Sequence, residues 1–268
     1  MCELLGMSAN VPTDIVFSFS GLMRRGGDTG PHRDGFGIAF YEGRGCRVFL
    51  DPMPSAQSEI ARLVQRYPLK SCNVISHIRQ ANRGRVCLEN THPFTRELWG
   101  RPWTFAHNGQ LRGVKRLPLN FYRPIGTTDS EYAFCYLLDQ LRQRYPRRPR
   151  RAASVHRLIA QTAAQLHALG VFNFLLCDAH ELYAHCSNRL YWLTRRAPFG
   201  AARLIDADLR VDFSTVTGHG DIVTVIASQP LTDNETWQAM TPGELRIFRD
   251  GLASVHFQAG RLMRRTDG

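Results

Sequence analysis

Cys2 is the residue with the most chemistry open to it. It follows Met1, and a small side chain in second place is the context in which an initiator methionine is normally removed. Removal would leave a thiol and a free α-amine on one carbon. A thiolate is a strong nucleophile, and an N-terminal amine can act as its adjacent base. That amine titrates near ~8, so much of it can accept a proton at neutral pH. Such a cysteine needs no histidine to activate it. Taken alone, Cys2 is only a second residue, and its meaning depends on the motifs downstream.

Asn108-Gly109 follows an apolar run, Trp103 to His107. The pair suits a type I′ hairpin turn. It also suits an oxyanion hole, in which the Asn amide and the Gly N–H donate to a developing negative oxygen. Arg79, at the end of SHIR, can be an ordinary ion-pairing arginine. It can equally clamp a carboxylate with two parallel hydrogen bonds. Asp129 lies in TTDSE, where Thr128-x-x-Glu131 matches a capping box and a carboxylate suits a helix N-terminus. A carboxylate held that way could also receive a substrate ammonium. His77, His92 and His107 flank these motifs, and each reads as a hydrogen-bonded structural histidine. Their spacing matches no metal site, and no cofactor is called for.

The elements that must position these residues can be read from apolar spacing. Thr13 is expected to cap a helix carrying Ile15, Val16, Phe19, Leu22 and Met23, ended by Gly26 and Gly27. DGFGIAFY (34–41) reads as a turn entering a strand, its glycines allowing close backbone approach. A hairpin turn at 42–45 leads to a strand over 46–50. A helix is expected over 55–67 and a buried strand over 73–78, followed by a long polar loop that includes NTHPF (90–94). Two long helices follow, over 129–145 and 152–169. Strands are then expected over 172–178, 181–186, 190–194, 222–228, 244–249 and 253–257. Strands, two helices and more strands, with little βαβ alternation, indicate an α+β sandwich. No repeat or long linker divides the chain, so residues 1–268 are expected to form one domain.

Composition narrows the class. Hydrophobic residues make up 43% and charged residues 21% of 268, as in ordinary globular domains. No apolar run reaches membrane-spanning length and no secretory signal is evident. Seven cysteines, an odd number without a C-x-x-C pair, indicate reduced thiols and a cytoplasmic setting. The net charge of +11 raises the question of nucleic acid. The densest basic cluster, Arg147, Arg148, Arg150 and Arg151, is broken by Pro146 and Pro149 and reads as a solvated loop. With no nucleic-acid-binding motif around it, incidental surface charge is the better reading.

Cys2, DGFGIAFY, SHIRQANRG, NTHPF, FAHNGQL and GTTDSE, in that order, resemble the class II glutamine amidotransferases, which are N-terminal nucleophile hydrolases. The later IASQPLTDNETWQAMTPGEL is similar to stand-alone members of that family. The resemblance implies a four-layer αββα sandwich of two stacked antiparallel sheets. It implies Cys2 as nucleophile, Asn108 and Gly109 as oxyanion hole, Arg79 on the glutamine α-carboxylate and Asp129 on the α-ammonium. It places His92 and Asn82 near the substrate. Family members often carry Thr where Asn82 stands, and an aromatic residue or Lys where Gln80 stands.

The reaction so implied is attack of Cys2 on a γ-glutamyl amide, giving a thioester, then glutamate and ammonia. The ammonia would be used by a separate synthase subunit. An alternative within the fold is hydrolysis of γ-glutamyl bonds in peptides or thiol metabolites. A third reading, an inert member that binds polyanions, is disfavoured because every inferred catalytic position is filled.

Overall fold

The chain enters its fold as a strand. β1 (Glu3–Thr13) buries its first seven residues on both faces. α1 (Val16–Arg25), the hairpin of β2 (Phe36–Glu42) and β3 (Gly45–Asp51), α2 (Glu59–Arg66) and β4 (Ser71–Ile78) follow. β5 (Phe94–Leu98) and β6 (Arg101–Leu111) lead to α3 (Asp129–Arg144) and α4 (Ala152–His167). Next come β7 (Gly170–Cys177), β8 (Leu182–His185), β9 (Tyr191–Arg196), β10 (Ala201–Arg203), β11 (Arg210–Asp212) and β12 (Ile222–Ala227). β13 (Gln238–Ala239), β14 (Glu244–Arg249), β15 (Leu252–Gln258) and β16 (Arg261–Leu262) complete the order. This computed structural model describes residues 2–67, 69–81, 84–215 and 218–263.

Two seven-stranded sheets result, in the orders β13-β9-β12-β1-β4-β2-β3 and β16-β15-β14-β8-β7-β6-β5. Their pairings are antiparallel. Side-chain alternation along the strands creates three apolar layers. Leu5, Met7, Phe36 and Val225 face Phe19 and Leu22 of α1 and Val64 of α2. Leu4, Ile75 and Ile226 meet Ala106, Leu175 and Phe248 between the sheets. Phe105, Phe172 and Phe174 pack against Phe134 of α3 and Ile159 of α4. The four-layer αββα sandwich expected from the motifs is therefore the observed architecture.

Several local expectations change. Thr13 does not cap α1: it ends β1, its hydroxyl donates to Val11 O, and Asp14 Oδ1 accepts from Val16 N at 3.1 Å instead. Gly26 does terminate that helix. The helix expected over 55–67 opens as a 3-10 turn and becomes α-helical after Ser58, whose hydroxyl accepts from Ala61 N. NTHPF is not wholly loop, because Phe94 starts β5. Thr128 caps α3, accepting from Glu131 N at 3.1 Å, but Glu131 does not complete a capping box. Its carboxylate accepts from Ile125 N and Gly126 N and pairs with Arg96. Asn108-Gly109 is no hairpin turn; β6 runs through it, opposite Asn173 and Phe172 of β7.

Candidate active site

Cys2 stands at the head of β1, the middle strand of its sheet. Its thiol donates to Gln80 O at 3.4 Å, and Sγ accepts from Gln80 N at 3.3 Å. Burial pushes the thiol above its ordinary value. The Gln80 N–H, the chain-terminal ammonium and Arg79 pull the other way without cancelling it. A thiol raised in this way needs a base before it can attack.

Arg79, Gln80 and Ala81 follow β4 and are held by the DGFG motif. Arg79 N donates to Gly35 O at 2.8 Å, Asp34 N to Arg79 O at 3.0 Å, and Ala81 N to Asp34 Oδ2 at 2.7 Å. Gly37 lets β2 pass against the loop that carries His92: a Cβ there would lie 2.3 Å from His92 O.

Gly109 is required by β7. With φ of 155°, a Cβ on it would lie 1.9 Å from Val171 O. Asn108 Nδ2 reaches Ser228 Oγ at 3.5 Å, and the same hydroxyl oxygen accepts from Leu4 N at 3.0 Å. Ser228 thereby joins Asn108 to the strand that bears Cys2. Asn173, 1% exposed, donates to Asn108 O at 3.1 Å and accepts from Ser187 N at 2.8 Å. Neither Ser228 nor Asn173 stands out in the sequence, because each acts through backbone groups brought close by pairing.

Asp129 is the first residue of α3. Its Oδ2 accepts from Leu111 N at 2.7 Å and its Oδ1 from Ser130 N at 3.0 Å. The carboxylate is fixed from two sides, by the helix start and by β6.

His92 lines the cavity, its ring 4.2 Å from that of His77 and 4.4 Å from Phe94. Among the described residues, the buried ring nitrogens of both histidines have no hydrogen bond of ordinary geometry, contrary to the hydrogen-bonded role expected. Burial drives both rings well below their ordinary pKa, so they are neutral. His107 does match expectation: Nε2 donates to Val171 O at 3.0 Å, which leaves Nδ1 to accept from Ser130 Oγ at 2.8 Å. Burial also lowers its pKa, against an opposing pull from Asp129. Among the described residues, no hydrogen bond joins these rings to Cys2.

A cavity of about 430 Å³ gathers Cys2, Arg79, His92, Asn108, Gly109 and Asp129 in its wall. That volume lies within the usual range for a small-molecule site. Asn82, expected beside the substrate, falls outside the described residues, as does Met1. Among the described residues, no group of three or more His, Cys, Asp or Glu side chains could hold a metal.

On the other face of β1, Glu3 forms a network absent from the sequence reading. Glu3 Oε2 accepts from Arg25 Nη1 and Oε1 from Gln229 Nε2, each at 2.9 Å. Arg25 Nε donates to Asp206 Oδ2 at 2.6 Å. The available signal was a lone acidic residue inside the apolar stretch after Cys2. Arg148, from the basic cluster, donates to the buried Asp178 at 2.7 Å, so part of that cluster is structural.

The chain belongs to the class-II glutamine amidotransferases, whose family model matches residues 1–266. The chain is 65% identical to YafJ of Escherichia coli K12 over 248 residues, 92% of this chain and 97% of YafJ. A Pseudomonas aeruginosa PA01 structure described as a predicted glutamine amidotransferase is 55% identical, with a TM-score of 0.76 over 94% of this chain and 99% of that one. The glutamine phosphoribosylpyrophosphate amidotransferase of Bacillus subtilis shares the fold, with a TM-score of 0.61 at 16% identity, covering 96% of this chain and 49% of that one. No helix among the described residues is long and apolar enough to cross a membrane.

Proposed function

We propose that this protein is a glutamine amidohydrolase in which Cys2, freed of Met1, opens the γ-amide. The observation that carries this reading is the convergence of Cys2, Asn108-Gly109, Arg79 and Asp129 on one cavity. The Cys2 thiol gives its proton to its own α-amine as Sγ attacks the amide carbon. The carbonyl oxygen becomes an oxyanion that Asn108 Nδ2 and the Gly109 N–H receive. Strand alternation supports the second donor. Leu111 N–H, two residues on, points to Asp129, and Gly109 N–H falls on the same edge of β6. Collapse breaks the C–N bond, and the α-ammonium protonates the departing nitrogen. Ammonia leaves and a γ-glutamyl thioester remains. Water adds to the thioester carbon, its proton passes through the α-amine to Sγ, and glutamate departs.

Arg79 takes the substrate α-carboxylate and Asp129 its α-ammonium. Each charge-assisted hydrogen bond contributes roughly 1.5–3 kcal/mol. His92 contributes to the cavity wall. The ammonia would pass to a separate synthase subunit in the cytoplasm.

The test is glutamate release by untagged protein whose intact mass lacks Met1. An uncleavable N-terminal extension is expected to reduce turnover to background without lowering the melting temperature. Full activity with the extension would sink the nucleophile assignment. A preference of about a hundredfold in kcat/KM for a γ-glutamyl dipeptide over glutamine would move the reading to peptide hydrolysis.

A further inference from the structure

Arg79 and Asp129 belong to different layers of the fold. Arg79 follows β4 of the first sheet, whereas Asp129 opens a helix packed on the second. Nothing local to either residue sets the distance between them. Among the described residues, one hydrogen-bonded route between their surroundings runs through the side chain of Asn90, which is 1% exposed.

Asn90 Nδ2 donates to Arg85 O at 3.1 Å, and the same carbonyl accepts from Arg79 Nη1 at 3.0 Å. Asn90 Oδ1 accepts from Thr127 N at 2.8 Å. Nδ2 also lies 3.2 Å from Cys87 Sγ and 3.3 Å from Thr127 Oγ1. Thr127 precedes Thr128, the cap of α3, and then Asp129. Lys115 Nζ holds Thr127 from another side, donating to its carbonyl at 2.7 Å. The joint is tight: a Cβ on Gly126 would lie 2.4 Å from Asn90 Oδ1 and 2.5 Å from Glu89 O.

We propose that Asn90 is a positioning residue for α-amino-acid recognition, fixing the separation of the Arg79 guanidinium and the Asp129 carboxylate. The inference rests on the reading above, in which those two groups grip one substrate. The physical reason is that the α-carboxylate and α-ammonium hang from a single carbon, so their receptors must keep one spacing. Truncating Asn90 leaves Thr127 N–H without its acceptor and Arg85 O without its second donor, and the two segments are free to drift. A ligand that needs both receptors then suffers more than one that needs Arg79 alone.

The test is titration calorimetry on Cys2→Ala protein, which cannot turn over. The ligands are L-glutamine and glutaramate, which is glutamine without its α-amine. Asn90→Ala is expected to weaken glutamine binding about tenfold or more and glutaramate about threefold or less. Gly126→Ala, which forces the same joint apart from the other side, is expected to reproduce that split, and it serves if Asn90→Ala folds poorly. Equal weakening of both ligands would mark Asn90 as merely structural, and unchanged glutamine affinity in both variants would also overturn the inference. A Cys2→Ala parent that binds neither ligand would remove the glutamine reading first, and the role of Asn90 with it.

Discussion

On one face of β1, beside Cys2, Glu3 meets Arg25; on the other, opposite Leu4, His77 packs against His92 with their rings tilted. Both clusters are buried, with Glu3 at 2% and Arg25 at 7% exposure and the histidines at 0% and 3%. The first keeps its charges and pairs them. Asp206 and Gln229 complete the set, and the Arg25 guanidinium also donates to Pro230 O. The second gives up charge, and its rings sit neutral against each other. The difference teaches that burial beside Cys2 is met in two ways. Pairing pins the head of the strand that carries Cys2. Neutrality leaves the fixed charge of the cavity wall to Arg79, Lys115 and Asp129.

The largest expected effect comes from breaking the paired cluster. Arg25→Met strands Glu3 as a buried carboxylate and leaves the half-buried Asp206, among the described residues, with only Thr29 Oγ1, and should cost about 3–5 kcal/mol in urea unfolding. A loss below about 1 kcal/mol would place the network in the weak class of solvent-screened surface pairs.

Acid probes the neutral cluster. The folded-state pKa of His77 and of His92 lies below the unfolded value, near ~6.5, so the unfolded chain takes up protons that the folded chain refuses. Stability is unaffected by these rings above that pH and falls below it, by about 1.4 kcal/mol per pH unit for each ring. Because the unfolded rings are only half protonated at pH ~6.5, the two together predict a loss of about 2 kcal/mol between pH ~6.5 and ~5.5. His107 and His185, the latter pulled down to about 4, act in the same direction. Denaturation curves at the two pH values that coincide would contradict the neutral assignment.

The smallest effect is expected for His77→Phe at pH ~7.5, within about 1 kcal/mol of the parent, because among the described residues its ring has no hydrogen bond of ordinary geometry to lose. The same variant should lose less in acid than the parent does. A loss near 3 kcal/mol at neutral pH would show that His77 is bonded after all, and the contrast between the clusters would disappear.

Legibility followed locality. The long helices α3 and α4 and the strands β7, β8, β9, β12, β14 and β15 could be read from apolar spacing, because their signals lie within a few residues; the short β10, β11, β13 and β16 were not expected. β1 was not expected, although Leu5, Met7, Ala9 and Val11 alternate with Gly6, Ser8 and Asn10 at strand period, and it is the middle strand of its sheet. Its burial on both faces and its central place come from pairing with β4 and β12, which local spacing does not encode. Asn108-Gly109 misled in the same way. The dipeptide favours a turn, but pairing with β7 keeps β6 extended through it. The histidines were expected to be hydrogen-bonded, and only His107 has partners at both of its ring nitrogens.

What the sequence determined by itself was the chemistry: a cysteine in second position, an Asn-Gly pair, an arginine after a strand and an aspartate at a helix start. Side-chain type and short-range spacing are enough to name such groups and what each can donate, accept or attack. What only the tertiary structure decided was their assembly. Residues 2, 79, 108 and 129 meet in one cavity because two sheets stack and the start of α3 is tied to β6 through Asp129 and Leu111. The partners Ser228, Asn173, Gln229 and Asp206 lie far along the chain, and hydrogen bonds across such separations have no local sequence signature.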